Sequence, residues 1–211
     1  QELHAELLED VEGAHWTTAM IYDHRVAEHP DLQRVVVAVD PAGSHKPTSD
    51  FTGLCVAGLG VDGRYYVVYS ERVRMRPEGW AARAIALYDE HQADRIVAER
   101  NYGGDMVEST LRSVREHVPL TIVVATRGKA VRAEPVSALY EQSRVSHVGT
   151  FETLEEQMLV CPVAVEVWDE IDALVWALTE LMDVPPPAGA DDDPEDVTEH
   201  RAPLGLASRR Y

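Results

Sequence analysis

The sequence predicts an α/β domain, a mixed sheet of five or slightly more strands with helices on both faces. Three observations predict it. The β-branched run Arg34-Val35-Val36-Val37-Ala38-Val39 has the pattern of a strand buried on both faces. Residues 52–59 and 65–70 flank Gly60-Val61-Asp62-Gly63-Arg64, where Asp-Gly marks a hairpin turn. Beyond Pro77, segments with helical spacing alternate with short apolar ones, the order that lays helices against a sheet.

The elements follow in chain order. Residues 1–31 place Leu3, Leu7, Leu8, Val11, Met20 and Ile21 at roughly helical spacing and close at Pro30-Asp31, so a helical lead-in is expected. The first strand ends at Asp40-Pro41, and the hairpin strands come next. Pro77 opens a helix with Trp80, Ala84, Leu87 and Tyr88 on one face. Arg95 to Ala98 is a fourth strand, closed by Glu99. Gly103-Gly104 precedes a helix carrying Met106, Val107, Leu111 and Val114, and Leu120 to Ala125 is a fifth strand. Helices are expected near 132–143 and 168–183, with an extended piece at 145–148 between them. The domain proper is therefore 32–183. Residues 184–211, with Pro185-Pro186-Pro187 and Asp191-Asp192-Asp193, have too little apolar surface to pack and are expected to be a mobile linker or tail.

Composition narrows the function classes. With 45% hydrophobic and 27% charged residues the chain of 211 has an ordinary globular balance, and no apolar run approaches the roughly 20 residues of a membrane span. No secretory signal or initiator Met opens the chain, and two cysteines are too few for a disulfide scaffold or thiolate zinc site, so a fragment from a reducing, cytoplasmic setting is expected. The net charge of −18 argues against electrostatically driven nucleic-acid binding. Much of it lies at the ends, however. The middle of the chain, residues 32–182, holds 22 acids against 15 bases, a net of −7 that bound metal ions would reduce further.

Acids at strand ends carry the chemistry. Asp40 closes the first strand and Glu99 the fourth, and in open α/β sheets ligands bind at the carboxyl ends of strands. If those strands are adjacent and parallel, the two carboxylates sit side by side. They then repel unless a divalent cation lies between them. Either acid alone is an ordinary turn residue. A third cluster lies in Trp168-Asp169-Glu170-Ile171-Asp172, where Asp169 and Asp172 share a helix face. First-turn acids also complement the helix dipole, which accounts for Asp169. Asp172 lies deeper among apolar residues, where that account is weaker.

Five segments in order carry a resemblance: Val39-Asp40-Pro41-Ala42-Gly43, Asp50-Phe51-Thr52-Gly53, Ala98-Glu99-Arg100-Asn101-Tyr102-Gly103-Gly104-Asp105, Gly128 to Pro135 and Ile171 to Ala177. Over about residues 34–182 the chain resembles the C-terminal nuclease domain of the large terminase subunit of tailed bacteriophages. The resemblance implies a ribonuclease H-like fold and metal-dependent cleavage of double-stranded DNA concatemers during genome packaging, in the cytoplasm of the infected bacterial host. Asp40 and Glu99 match the family's first two metal-binding acids. The third maps onto Asp172, with Asp169 as an alternative or additional ligand. The implied cofactor is two Mg²⁺ or Mn²⁺ ions, which suit an all-oxygen site. The implied partners are double-stranded DNA, the portal, the small terminase subunit and a packaging ATPase domain. No phosphate-loop motif is present, so the chain is expected to be the nuclease part alone.

Lys129 and Arg132, after the fifth strand, are assigned to phosphate contact, as are the backbone N–H groups of Gly103 and Gly104. A plain tight turn accounts for the glycines equally well. His45 reads as a solvated loop residue and Asp50 as either a site neighbour or a turn cap. Trp80, Trp168, Trp176, Cys55 and Cys161 are assigned to the core. Two other readings stay open: an actin- or sugar-kinase-like phosphotransferase core, and a non-catalytic DNA- or portal-binding module. The acidic tail is read either as an inert solubilising segment or as a brake on DNA binding.

Overall fold

The computed structural model describes residues 10–42, 51–100, 106–163 and 168–183. In chain order the elements are α1 (Thr18–Tyr22), β1 (Leu32–Asp40), β2 (Thr52–Gly60), β3 (Tyr65–Val73), α2 (Pro77–Glu90), β4 (Arg95–Glu99) and α3 (Met106–Val114), then β5 (Leu120–Val123), α4 (Lys129–Glu141), β6 (Val145–His147), α5 (Glu152–Val160) and α6 (Asp169–Met182). The strands form one six-stranded sheet in the order β5-β4-β1-β2-β3-β6. β2 pairs antiparallel with β1 and β3, and the other pairings are parallel. Only β2 runs against the rest, so β1, β3 and β4 present their carboxyl ends at one edge.

Alternation along β1 feeds two cores. Val36 and Ala38 face α4, α5 and α6, whereas Val35, Val37 and Val39 face α2 and α3. This is why Val35 to Val39 include no polar residue before Asp40. α6 is buried nearly all round, from Asp169 to Leu181, because the sheet covers one side and α4 and α5 the other.

The structure departs from the expected elements in two places, the lead-in and α5. Among the described residues of the lead-in, 10–31, only Thr18–Tyr22 is helical, capped by the Thr17 hydroxyl, while Gly13 takes a left-handed φ of 85°. Trp16 and Ile21 are buried in the α6-side core, Trp16 edge-on to Tyr140 of α4, so residues 10–31 pack as part of the domain. The extended piece expected at 145–148 is the edge strand β6, which brings the sheet to six strands, within the expected number. α5 is an additional helix, held by a buried polar network. Within it Glu155 accepts a bidentate pair from Arg25 at 2.9 Å and meets His147 Nδ1 at 2.8 Å, while His147 Nε2 lies 2.9 Å from the Tyr140 hydroxyl. The acidic tail of residues 184–211 lies outside the described residues, and no described helix is long and apolar enough to cross a membrane.

Candidate functional site

β1 and β4 are parallel neighbours, with Val39 opposite Ala98, so the next residues, Asp40 and Glu99, leave the sheet side by side. Both point to the α6 face, since Ala38 and Val97, two residues earlier, pack in that core. Asp40 is only 9% exposed. Across β2 its partner is Gly53, and here the N-terminus of α6 rests on the sheet. A Cβ at Gly53 would lie 1.9 Å from the backbone oxygen of Asp169. The missing side chain therefore admits the helix. Its first turn delivers Asp169 and Asp172, both buried, to the corner holding Asp40 and Glu99.

α4 closes the other side. Lys129 and Arg132, i and i+3 on one helix face, reach the same carboxylates. The Lys129 ammonium pairs with Asp172 Oδ2. The Arg132 guanidinium spans two acids, at 3.1 Å from Asp172 Oδ1 and 3.4 Å from Glu99 Oε2, and lies 4.6 Å from the centre of the Trp176 ring. The Trp176 indole N–H donates to Glu99 Oε2 at 2.7 Å.

Burial, followed by the charges of Asp172 and Glu99, pushes the Asp40 carboxyl well above the ordinary carboxylate range. Burial also raises Asp172, against the lowering effect of Lys129 and Arg132. Burial acts to lower Lys129, but its bond to Asp172 and the charges of Asp172, Asp40 and Asp169 outweigh it and hold the ammonium above its usual range. Four acids thus face two cations. The donor set, all carboxylate oxygen with excess negative charge, fits a hard divalent cation by chemistry and by charge. Among the described residues, no three His, Cys, Asp or Glu side chains stand ready-made as a metal cage. Lys129 and Arg132 are drawn in among the carboxylates and compensate their charge.

The four predicted acids are therefore brought together. Lys129 and Arg132, assigned to phosphate contact, pair with carboxylates in the structure, Lys129 at the half-exposed rim and Arg132 nearly buried. Gly103, Gly104, His45 and Asp50 lie outside the described residues. Trp80 is buried as expected, and so are Cys55 and Cys161; burial pushes the Cys161 thiol up to about 12. Trp168 packs half-buried against the core. Trp176 also packs half-buried against the core and in addition serves Glu99, because position i+4 from Asp172 faces the same corner. That spacing was the available signal. Gly53 left none beyond its place in a motif.

A family model for the terminase RNase H-like domain matches residues 37–181. No curated protein matches the chain in sequence. Among solved structures, the human cytomegalovirus terminase nuclease domain is 16% identical with a TM-score of 0.62, covering 79% of this chain and 95% of that one. The large terminase nuclease of the thermophilic phage G20c is 14% identical with a TM-score of 0.55, covering 77% and 96%, and has also been solved with bound magnesium, cobalt or zinc. The HK97 bacteriophage large terminase is 12% identical with a TM-score of 0.59, covering 79% of this chain but 43% of that one. At these identities the likeness shows the fold, an RNase H-like α/β sheet.

Proposed function

Because the chain belongs to the terminase RNase H-like domain family, we propose that it is a metal-dependent endonuclease domain that hydrolyses double-stranded DNA concatemers during genome packaging. The observation that carries this reading is the convergence of acids from three separate elements, β1, β4 and α6, with Arg132 bridging two of them. Asp40, Glu99 and Asp172, with Asp169 beside them, would hold two Mg²⁺ or Mn²⁺ ions. Two bound ions supply activation of the attacking water and stabilisation of the leaving oxygen. The chain's own residues do the rest. Trp176 orients Glu99 through its N–H. Arg132, stacked on Trp176, keeps Glu99 and Asp172 at one corner. Lys129, half-exposed at the rim, is placed to leave Asp172 for a phosphate oxygen of the DNA.

The implied setting is a packaging motor with an ATPase domain, portal and small terminase subunit in the cytoplasm of an infected bacterium. The test is plasmid cleavage. Supercoiled DNA is nicked or linearised in Mn²⁺ or Mg²⁺ and left intact in EDTA. Asp40→Asn abolishes cutting while DNA binding is retained. A wild-type chain that binds DNA yet cuts it in no divalent ion would sink the reading in favour of a non-catalytic module.

A further inference from the structure

Near the acid centre, β3 carries cations of a different kind from Lys129 and Arg132. Arg72 pairs with Gly53, which pairs with Asp40, so the three share one row across β3, β2 and β1. Two strand spacings separate Arg72 from Asp40, about 10 Å. β3 runs parallel to β1, and the chain beyond it, through Arg74 and Arg76, therefore leaves the sheet at the edge where Asp40 and Glu99 lie.

All three arginines are exposed, and among the described residues none is in a salt bridge. Arg25, Arg34, Arg83, Arg95, Arg112, Arg115 and Arg132 each are. In a chain of net charge −18, three neighbouring arginines outside any described salt bridge, of which Arg72 alone lies in the field of a carboxylate, the buried Glu170, point to an anion from outside. Two of them are propped in place. The guanidiniums of Arg72 and Arg74 lie 4.8 and 4.4 Å from the centre of the Phe51 ring, an arrangement that reduces the freedom given up on binding.

A groove of about 500 Å³ lies beside them, lined by Phe51, Ser70, Thr150 and Glu170. Glu170 is buried. One of its oxygens accepts from the Ser70 hydroxyl at 2.8 Å, and the other has no hydrogen-bond partner. An acidic floor repels phosphate and confines it to the arginine rim.

We propose that Arg72, Arg74 and Arg76 form the track that holds the phosphates of the DNA strand beside the acid centre, an inference that rests on the nuclease reading above. The test is fluorescence anisotropy of a labelled 30-base-pair duplex, titrated with KCl at fixed Ca²⁺. Each phosphate that is no longer neutralised lowers the salt slope by about 0.9. Arg72→Gln/Arg74→Gln and Arg74→Gln/Arg76→Gln should each lower it by about two and weaken binding at 50 mM salt on the order of 100-fold. Arg72→Lys/Arg74→Lys should keep the slope. Arg112→Gln/Arg115→Gln, in the last turn of α3 and just beyond it, across the sheet, makes the same charge change and should leave the slope unaltered.

Equal reductions in the α3 and β3 variants would make the effect one of net charge and overturn the track. So would an unchanged slope in the Arg74/Arg76 variant, which disturbs only one of the two Phe51 contacts and decides the matter if the Arg72 variant fails to fold. A wild-type chain that binds no duplex even at low salt overturns the nuclease reading itself.

Discussion

Substituting Gly53 by alanine tests how the site is assembled. The new Cβ would meet the Asp169 carbonyl at 1.9 Å from oxygen and 2.4 Å from carbon, where ordinary contact begins at 3.4 Å. Both atoms are backbone, so no rotamer change relieves the clash, and the N-terminus of α6 must lift by about 1.5 Å. Overpacking of this kind costs about 1–3 kcal/mol, and a rigid neighbour puts it at the upper end. For a domain of this size 3 kcal/mol corresponds to a fall in melting temperature of about 6–12 °C. The lift also moves Asp169 and Asp172 away from Asp40, and displacement of about 1 Å at a catalytic centre costs on the order of 100-fold in rate. The assay is thermal melting by circular dichroism alongside Mn²⁺-dependent plasmid nicking. Gly58→Ala is the control. Its Cβ meets Leu32 Cδ1 at 2.6 Å, a side-chain tip that can turn aside, so about 1 kcal/mol and near-normal nicking are expected. A Gly53→Ala protein that melts within 2 °C of wild type would refute the claim that backbone contact at Gly53 seats α6.

Three further outcomes follow from the same geometry. Lys129→Met removes the ammonium that competes for Asp172, so Mn²⁺ affinity measured by calorimetry should rise, and Mn²⁺ should stabilise the variant more than wild type; equal affinities would show that Lys129 does not compete. Trp176→Phe leaves Glu99 without its indole donor, which should cost about 1–3 kcal/mol in stability and lower the nicking rate with little change in DNA affinity. The third concerns acid. Burial acts to raise Glu155, but His147 and Arg25 hold it down at about 2, so between pH 4.5 and 2 the unfolded chain binds the proton and the native one does not. Stability is therefore present above that window and lost as pH falls through it, by up to about 3 kcal/mol. Burial likewise lowers His147, so its contribution is lost as pH falls below its ordinary value. Glu155→Gln should be less stable at pH 7 and should lose the steep fall below pH 4.5 in denaturant titrations; an unchanged acid limb would contradict it.

Much of the site was legible in the chain itself. A β-branched run ending in Asp40, a second short strand ending in Glu99 and a helix whose first turns carry Asp169 and Asp172 place acids at element ends, and the period of each element determines which side it presents. The strands matched because their signal is local. α5 was not legible, since Glu155 and Gln157 are buried on it and its apolar positions alone do not form a clear stripe. Residues 10–31 are helical only at Thr18–Tyr22 because spacing records which residues are apolar, whereas Trp16 and Ile21 are buried by contacts with residues more than a hundred positions away. The partnerships were decided only by the tertiary structure. That Lys129 and Arg132 turn toward carboxylates, that Trp176 serves Glu99, that Gly53 is the seat of α6 and that Arg72 shares a row with Asp40 all depend on the register and distance between elements remote in sequence. Sequence determined which groups were available at each element's end, because that depends on local periodicity. Packing decided which of them meet, because close approach of backbones and pairing of buried charges exist only once the sheet and α6 are in contact.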